Sequence, residues 1–267
     1  MSETPLFETA SDAEAVSRAV AAAAPTVERA DLAAVSTLAP VLRQPVRVLL
    51  TSLADNKYVL GRRYAEWCTG APLLESAVAA AAMAQDELGH ARSFYPLLRG
   101  FGADAAQMEE RGWQNRPTNA LACLDRPFAS WPEFIAANVV VDSAFTVLFE
   151  AASASSYEPL GQRARKIVQE EAAHWVHGTG WLRRLAADMG ASLENVWDDA
   201  FTWFGQDDDP VFAPLATAGL LSASPAALRQ SLRNRLEPVL HETGLTAILD
   251  RPLPWDRWDP TRRRLRL

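Results

Sequence analysis

Apolar positions recur at three- and four-residue steps over four long stretches, the spacing of helices that each bury one face. The first stretch, Pro45 to Cys68, places Val46, Leu49, Leu50, Leu53, Val59 and Leu60 on such a face. It stops at Thr69-Gly70-Ala71-Pro72, a glycine near the C-cap followed by a proline that opens the next element. The second, Pro72 to Leu98, is dense in alanine, which favours helix and lets neighbouring helices approach closely; Gly100 and Gly102 end it. An irregular connection follows over 103–130. The third stretch runs from Pro132 to Ser156 and the fourth from Pro159 to Gly190. Two helical hairpins joined by a crossover of roughly 30 residues predict an all-α, ferritin-like four-helix bundle.

Shorter helical patterns flank these four. Ser11 to Ala24 and Ala30 to Leu42 form an N-terminal helical extension over residues 1–44. The bundle occupies 45–190. Over 191–267, Asn195 to Phe204 and Pro225 to His241 predict two further helices, separated by Asp207-Asp208-Asp209-Pro210, and Arg251 to Leu267 predicts an extended tail packing on the bundle.

The chain has 267 residues and a formal net charge of −7, which argues against nucleic-acid binding. Arg262, Arg263, Arg264 and Arg266 cluster near the end, the pattern of a solvated terminus. Two cysteines, Cys68 and Cys123, stand far apart in no metal-binding pattern and fit a reduced chain. Met1 to Ala10 has no apolar core of a signal peptide. The apolar run Ala77 to Ala84 is too short to span a membrane and meets Asp86 and Glu87, so the expected location is cytoplasmic.

Two ExxH motifs then change the picture. Glu87-Leu88-Gly89-His90 lies on the second long helix and Glu171-Ala172-Ala173-His174 on the fourth. Three-residue spacing sets a carboxylate and an imidazole on one helix face, one turn apart, as a metal ion requires. One such motif is weak; two, one in each hairpin, predict a di-metal site completed by a carboxylate from each remaining helix. The third helix offers Asp142, set in the apolar run Val139-Val140-Val141, where an unpaired acid is costly. On the first helix the position that would face the site holds Lys57. Asp86 is placed to hydrogen-bond a histidine of a facing helix, and His177, three residues after His174, falls on the helix flank or behind the ligands.

Ala54-Asp55-Asn56-Lys57, Glu66-Trp67-Cys68-Thr69-Gly70-Ala71-Pro72, Gln85-Asp86-Glu87-Leu88-Gly89-His90-Ala91-Arg92, Val141-Asp142 and Gly180-Trp181-Leu182-Arg183-Arg184-Leu185 resemble the ferritin-like subunits of bacterial phenylacetyl-CoA epoxidase, the ring-epoxidising monooxygenase of aerobic phenylacetate degradation. The resemblance covers roughly Pro45 to Pro252 and is nearer the structural subunit than the catalytic one. It implies a catalytic ferritin-like partner, a homodimer, or both, with a CoA thioester nearby. Catalytic members hold two irons, and the matching positions here are Glu87, His90, Asp142, Glu171 and His174; Lys57 stands where the sixth ligand, a glutamate, is expected. The tail of the structural subunits, which contains glycine and histidine, has no counterpart after Pro252.

Glutamate to lysine changes the site by two charge units. A lysine head inside the site repels divalent ions and neutralises the acids, giving a metal-free, salt-bridged relic; a lysine turned to solvent, or neutral, leaves room for one metal or two. The chain therefore reads as a structural subunit with a degenerate site, and in the alternative as an active di-iron oxygenase or oxidase acting on an acyl-CoA or another apolar substrate. A third reading, a ferritin-like storage protein, fits the terminal extensions poorly.

Overall fold

The computed structural model describes residues 34–102 and 118–266. The expected helix Ser11 to Ala24 lies outside the described residues, as does most of the crossover. Four long helices form the body: α1 (Pro40–Ala65), α2 (Leu74–Phe94), α3 (Trp131–Ala152) and α4 (Glu158–Leu185). Helix α1 packs along α2 and α3 along α4, two hairpins closed into an all-α, ferritin-like bundle. Helices α5 (Gly190–Thr202), α6 (Phe212–Thr217) and α7 (Pro225–Thr243) pack on its outside. The only strands among the described residues are β1 (Trp258–Asp259) and β2 (Arg264–Leu265), a two-residue antiparallel pair.

Several boundaries differ from expectation. Helix α1 starts at Pro40, where a proline at the first helical position costs nothing, and it runs through Pro45. A helical turn at 34–36 is all that stands in the described part of the expected Ala30–Leu42 helix before α1 begins. Helix α2 tightens at Tyr95–Phe101 into a 3₁₀ segment that ends on Gly102, whose φ of 78° suits the left-handed cap. The tail is not simply extended: it makes a 3₁₀ turn at Trp255–Arg257 before the β pair.

Of the tail arginines, Arg266 is exposed and Arg262 partly so, but Arg263 and Arg264 are not solvated. Arg263 is fully buried and donates to both carboxylate oxygens of Asp209 at 2.8 and 3.0 Å, with its guanidinium 4.3 Å from the Phe212 ring centre. Asp209 also accepts from the Val211 and Phe212 amides, so one carboxylate caps α6 and holds the tail. Arg264 is buried against Asp125, and Arg262 donates to the Thr118 carbonyl. The isolated run of arginines hid this because its acids lie far away in sequence.

The longest apolar run is not Ala77–Ala84 but α3. Trp131–Ala152 is long and apolar enough to cross a membrane, yet 94% of its most apolar window is buried within the fold. It is the central core helix, with Phe134, Phe145, Leu148 and Phe149 fully enclosed.

The Ala54-Asp55-Asn56-Lys57 motif explains how the crossover is fastened. Asp55 Oδ2 accepts from the Asn119 amide at 2.9 Å, and Asn56 Oδ1 from the Leu121 amide at 2.9 Å. Asn56 Nδ2 donates to the Ser52 carbonyl, and the Ser52 hydroxyl accepts from the Trp203 indole at 2.9 Å. These buried polar groups pin the crossover and the C-terminal end of α5 to α1, immediately beside Lys57.

Candidate metal centre

Each helix of the bundle sends polar side chains to one buried point. Lys57 and Tyr64 lie two turns apart on one face of α1. Gly61, between them, makes the approach of α2 possible: a Cβ there would meet Leu88 Cγ at 2.9 Å and Glu87 Cβ at 3.0 Å. Helix α2 contributes Glu87 and His90, and α4 contributes Glu171 and His174, each pair from one ExxH motif. Asp142 enters from α3 directly after a single π-helical turn, Ala137–Val141. Such a turn inserts one extra residue and re-aims the side chains after it, a device frequent at functional sites. Gly178 of α4 fits against this turn; a Cβ there would meet Asn138 Oδ1 at 2.6 Å.

Lys57 occupies the convergence point. Its side chain is 0% exposed, and Nζ lies 2.6 Å from Glu171 Oε1, 2.8 Å from Glu87 Oε1 and 3.7 Å from Asp142 Oδ1. The rings of Phe145 and Phe149 lie 5.1 and 5.6 Å away and add a cation–π contribution. Burial works against the ammonium, but Glu171, Glu87 and Asp142 outweigh it and hold its pKa above the usual lysine value.

His174 is the second cation. Nδ1 lies 3.3 Å from Asp142 Oδ2 and from Glu171 Oε2, and Nε2 lies 3.3 Å from Asp86 Oδ2. Burial opposes its charge, but the bond to Asp142 and the close Glu171 carboxylate prevail and push the imidazole up to about 11. Burial would also raise Asp142; Lys57 and His174 reverse this and hold it well below the usual carboxylate range. Tyr64 Oη donates to Asp142 Oδ2 at 2.7 Å and Asn138 Nδ2 donates to the same oxygen at 3.1 Å. Burial, then the Asp142 charge, keeps the Tyr64 phenol protonated. For Glu87 burial dominates over Lys57 and moves its pKa well up, making it the acid best suited to carry a proton.

The two histidines are held reciprocally. Asp86, just before Glu87, contacts His174 of the facing helix, and Glu170, just before Glu171, accepts from His90 Nε2 at 2.8 Å. Carboxylates on the outward nitrogen commonly orient metal-ligating imidazoles. Burial, then Lys57 and His174, drops His90 to about 2, so it is neutral. His90 Nδ1, 3.8 Å from Glu171 Oε1, has no hydrogen-bond partner, nor do Glu87 Oε2, Asp142 Oδ1 and Glu171 Oε2. His177 contacts Asn138 Oδ1 through Nδ1 at 3.3 Å and stands one residue removed from the cluster.

Donor atoms of Glu87, Asp142, Glu171 and His174 lie within 4.8 Å of one another, a set able to hold a metal ion; His90 is outside it. A di-metal centre does not fit these residues. The Lys57 ammonium sits between the Glu87 and Glu171 carboxylates, where it would repel a divalent cation by several kcal/mol even at an effective dielectric near 20. Tyr64, Asn138 and Glu170 escaped the sequence reading; Glu170 was legible as the counterpart of Asp86, one residue before the second ExxH.

Fold and site together define a ferritin-like bundle with a buried carboxylate–imidazole cluster at its midplane. Residues 31–257 match the phenylacetic acid catabolic protein family, and the chain belongs to it. It is 30% identical over 206 residues to the C component of 1,2-phenylacetyl-CoA epoxidase from Escherichia coli (strain K12), covering 72% of this chain and 80% of that one.

Proposed function

We propose that this chain is a structural subunit of a phenylacetyl-CoA epoxidase-type assembly, with a di-metal site whose cations have been replaced by Lys57. One observation carries the reading: a fully buried ammonium bridges Glu87 and Glu171 at 2.8 and 2.6 Å. Lys57 and His174 neutralise acids that two metal ions would otherwise neutralise, so the bundle keeps its shape without them. In such an assembly the chain pairs with a catalytic ferritin-like homologue, and any acyl-CoA chemistry takes place there.

The four-residue donor set within 4.8 Å favours the competing reading, a metal-loaded oxidase or oxygenase. Metal analysis of protein made with supplemented iron, beside Lys57→Glu, separates the two. Little metal in the parent and about two irons per chain in Lys57→Glu is the expected result. Two irons in the parent overturns it. Co-purification with a catalytic homologue tests the assembly independently of metal.

A further inference from the structure

The C-terminal hairpin gathers three arginines around one cavity, away from the bundle core. Residues two apart on a strand share a face, so Arg264 of β2 and Arg266 just after it point the same way. Arg262 joins them from the turn between β1 and β2. With Thr118 and Asp125 of the crossover and Asp259 of β1, they line a space of about 440 Å³.

Each guanidinium is anchored through one nitrogen. Arg262 Nη2 donates to the Thr118 carbonyl at 2.8 Å, Arg266 Nη2 to the Asp256 carbonyl and Arg264 Nη2 to the Asp125 carboxylate. A guanidinium carries about five N–H donors, so most of each fork is left for a ligand. Thr118 Oγ1 accepts from the Ala120 amide at 3.0 Å, which leaves its own proton to donate. The acids present do not balance the charge. Asp125 pairs with Arg264, and Asp259 turns Oδ1 to the Thr261 and Arg262 amides at 2.9 and 3.1 Å. Among the described residues, neither Arg262 nor Arg266 has a carboxylate within 4.0 Å. Residues 251–266 carry six arginines and two aspartates, a net +4 in a chain of net −7. Neighbouring guanidinium groups repel one another, and an anion between them removes that cost.

We infer that this cavity binds a phosphate group, carried by a small phosphomonoester or arriving as the free ion. A guanidinium fork meets two phosphate oxygens at once, which an ammonium cannot do. A phosphomonoester carries a charge of about −1.5 to −2 at neutral pH, the counter-charge that Arg262 and Arg266 lack. The volume lies within the roughly 300–1,000 Å³ of small-molecule sites, so an organic group fits beside the phosphate.

Isothermal titration calorimetry on the full-length protein tests this at about 0.01 M ionic strength, where screening is weak. AMP and inorganic phosphate are the probes, and adenosine is the uncharged control. AMP should bind and adenosine should not. AMP tighter than phosphate identifies a phosphomonoester ligand, and equal affinities identify the free ion; both support the inference. Arg262→Gln and Arg266→Gln each keep an amide donor for the carbonyl they hold but lose the charge, and each should weaken the binding about tenfold or more. Arg92→Gln, exposed on α2, changes the net charge by the same amount and should leave affinity unchanged. The two tail arginines anchor different carbonyls, so a folding defect in one variant, read by circular dichroism, leaves the other as the test. No binding of either anion, adenosine binding as well as AMP, or a loss in Arg92→Gln equal to that in the tail variants overturns the inference.

Discussion

Lys57→Met replaces the ammonium by an uncharged side chain of similar length and leaves Glu87, Asp142 and Glu171 in place. At an effective dielectric near 20, an ionised partner attracts the ammonium by about 6 kcal/mol at the 2.6 Å of Glu171 and by about 4.5 kcal/mol at the 3.7 Å of Asp142, while Glu87 at 2.8 Å, which burial disposes to carry a proton, adds a comparable attraction only when ionised. Most of this offsets the cost of burying the charges, so the net loss on removing one partner is about 3–5 kcal/mol. For a domain of this size that lowers Tm by roughly 6–20 °C. The loss depends on pH. Without Lys57 the buried acids repel one another, and Glu87, already raised by burial, loses the cation that opposes that rise, so the folded state holds its proton more tightly. Stability of the variant therefore falls as pH rises above the ordinary carboxylate range, and the gap to the parent widens from pH 5 to pH 8. Urea denaturation followed by circular dichroism at several pH values, in the presence of a chelator, measures it. A variant as stable as the parent at pH 8 would refute the reasoning, because the acids would then need a different cation.

Ring-nitrogen NMR should find His174 charged at neutral pH, titrating near 11, with His90 and His177 neutral down to about 2 and about 4. The His174 contribution to stability is whole below its unfolded value near 6.5 and fades as pH climbs towards 11, so a parent whose stability is flat over that interval counts against the assignment. Arg263→Met should cost about 3–5 kcal/mol by leaving Asp209 buried without its cation, measurable as a lower urea midpoint; a shift under about 1 kcal/mol contradicts the clasp. Gly178→Ala should push α4 off the π turn and cost about 1–3 kcal/mol, whereas a gain in stability, as expected for Ala in an open helix position, would show that the contact with Asn138 is not tight.

The four helices, their pairing and the two ExxH motifs were legible in the sequence, because helical periodicity and i,i+3 spacing are local properties of the chain. So was the anomaly of Lys57, since one motif position fixes which way the residue faces. Where the lysine head goes was not legible: solvent and core are both within reach of its stem, and only packing of α2 against Gly61 and of α3 and α4 around Phe145 and Phe149 places Nζ among three acids. The same holds for the arginine tail, which looks like a solvated end until Asp209 and Asp125 meet it from distant parts of the chain. The Ala137–Val141 π turn lies in a run of ordinary apolar residues that carries no signal of it; the fit of Asn138 to Asp142 and Gly178 accompanies it in the folded bundle. Sequence determined which side chains share a helix face. Tertiary structure decided which charges meet, because the energy of a buried ion depends on partners that only the closed bundle brings within about 3 to 4 Å.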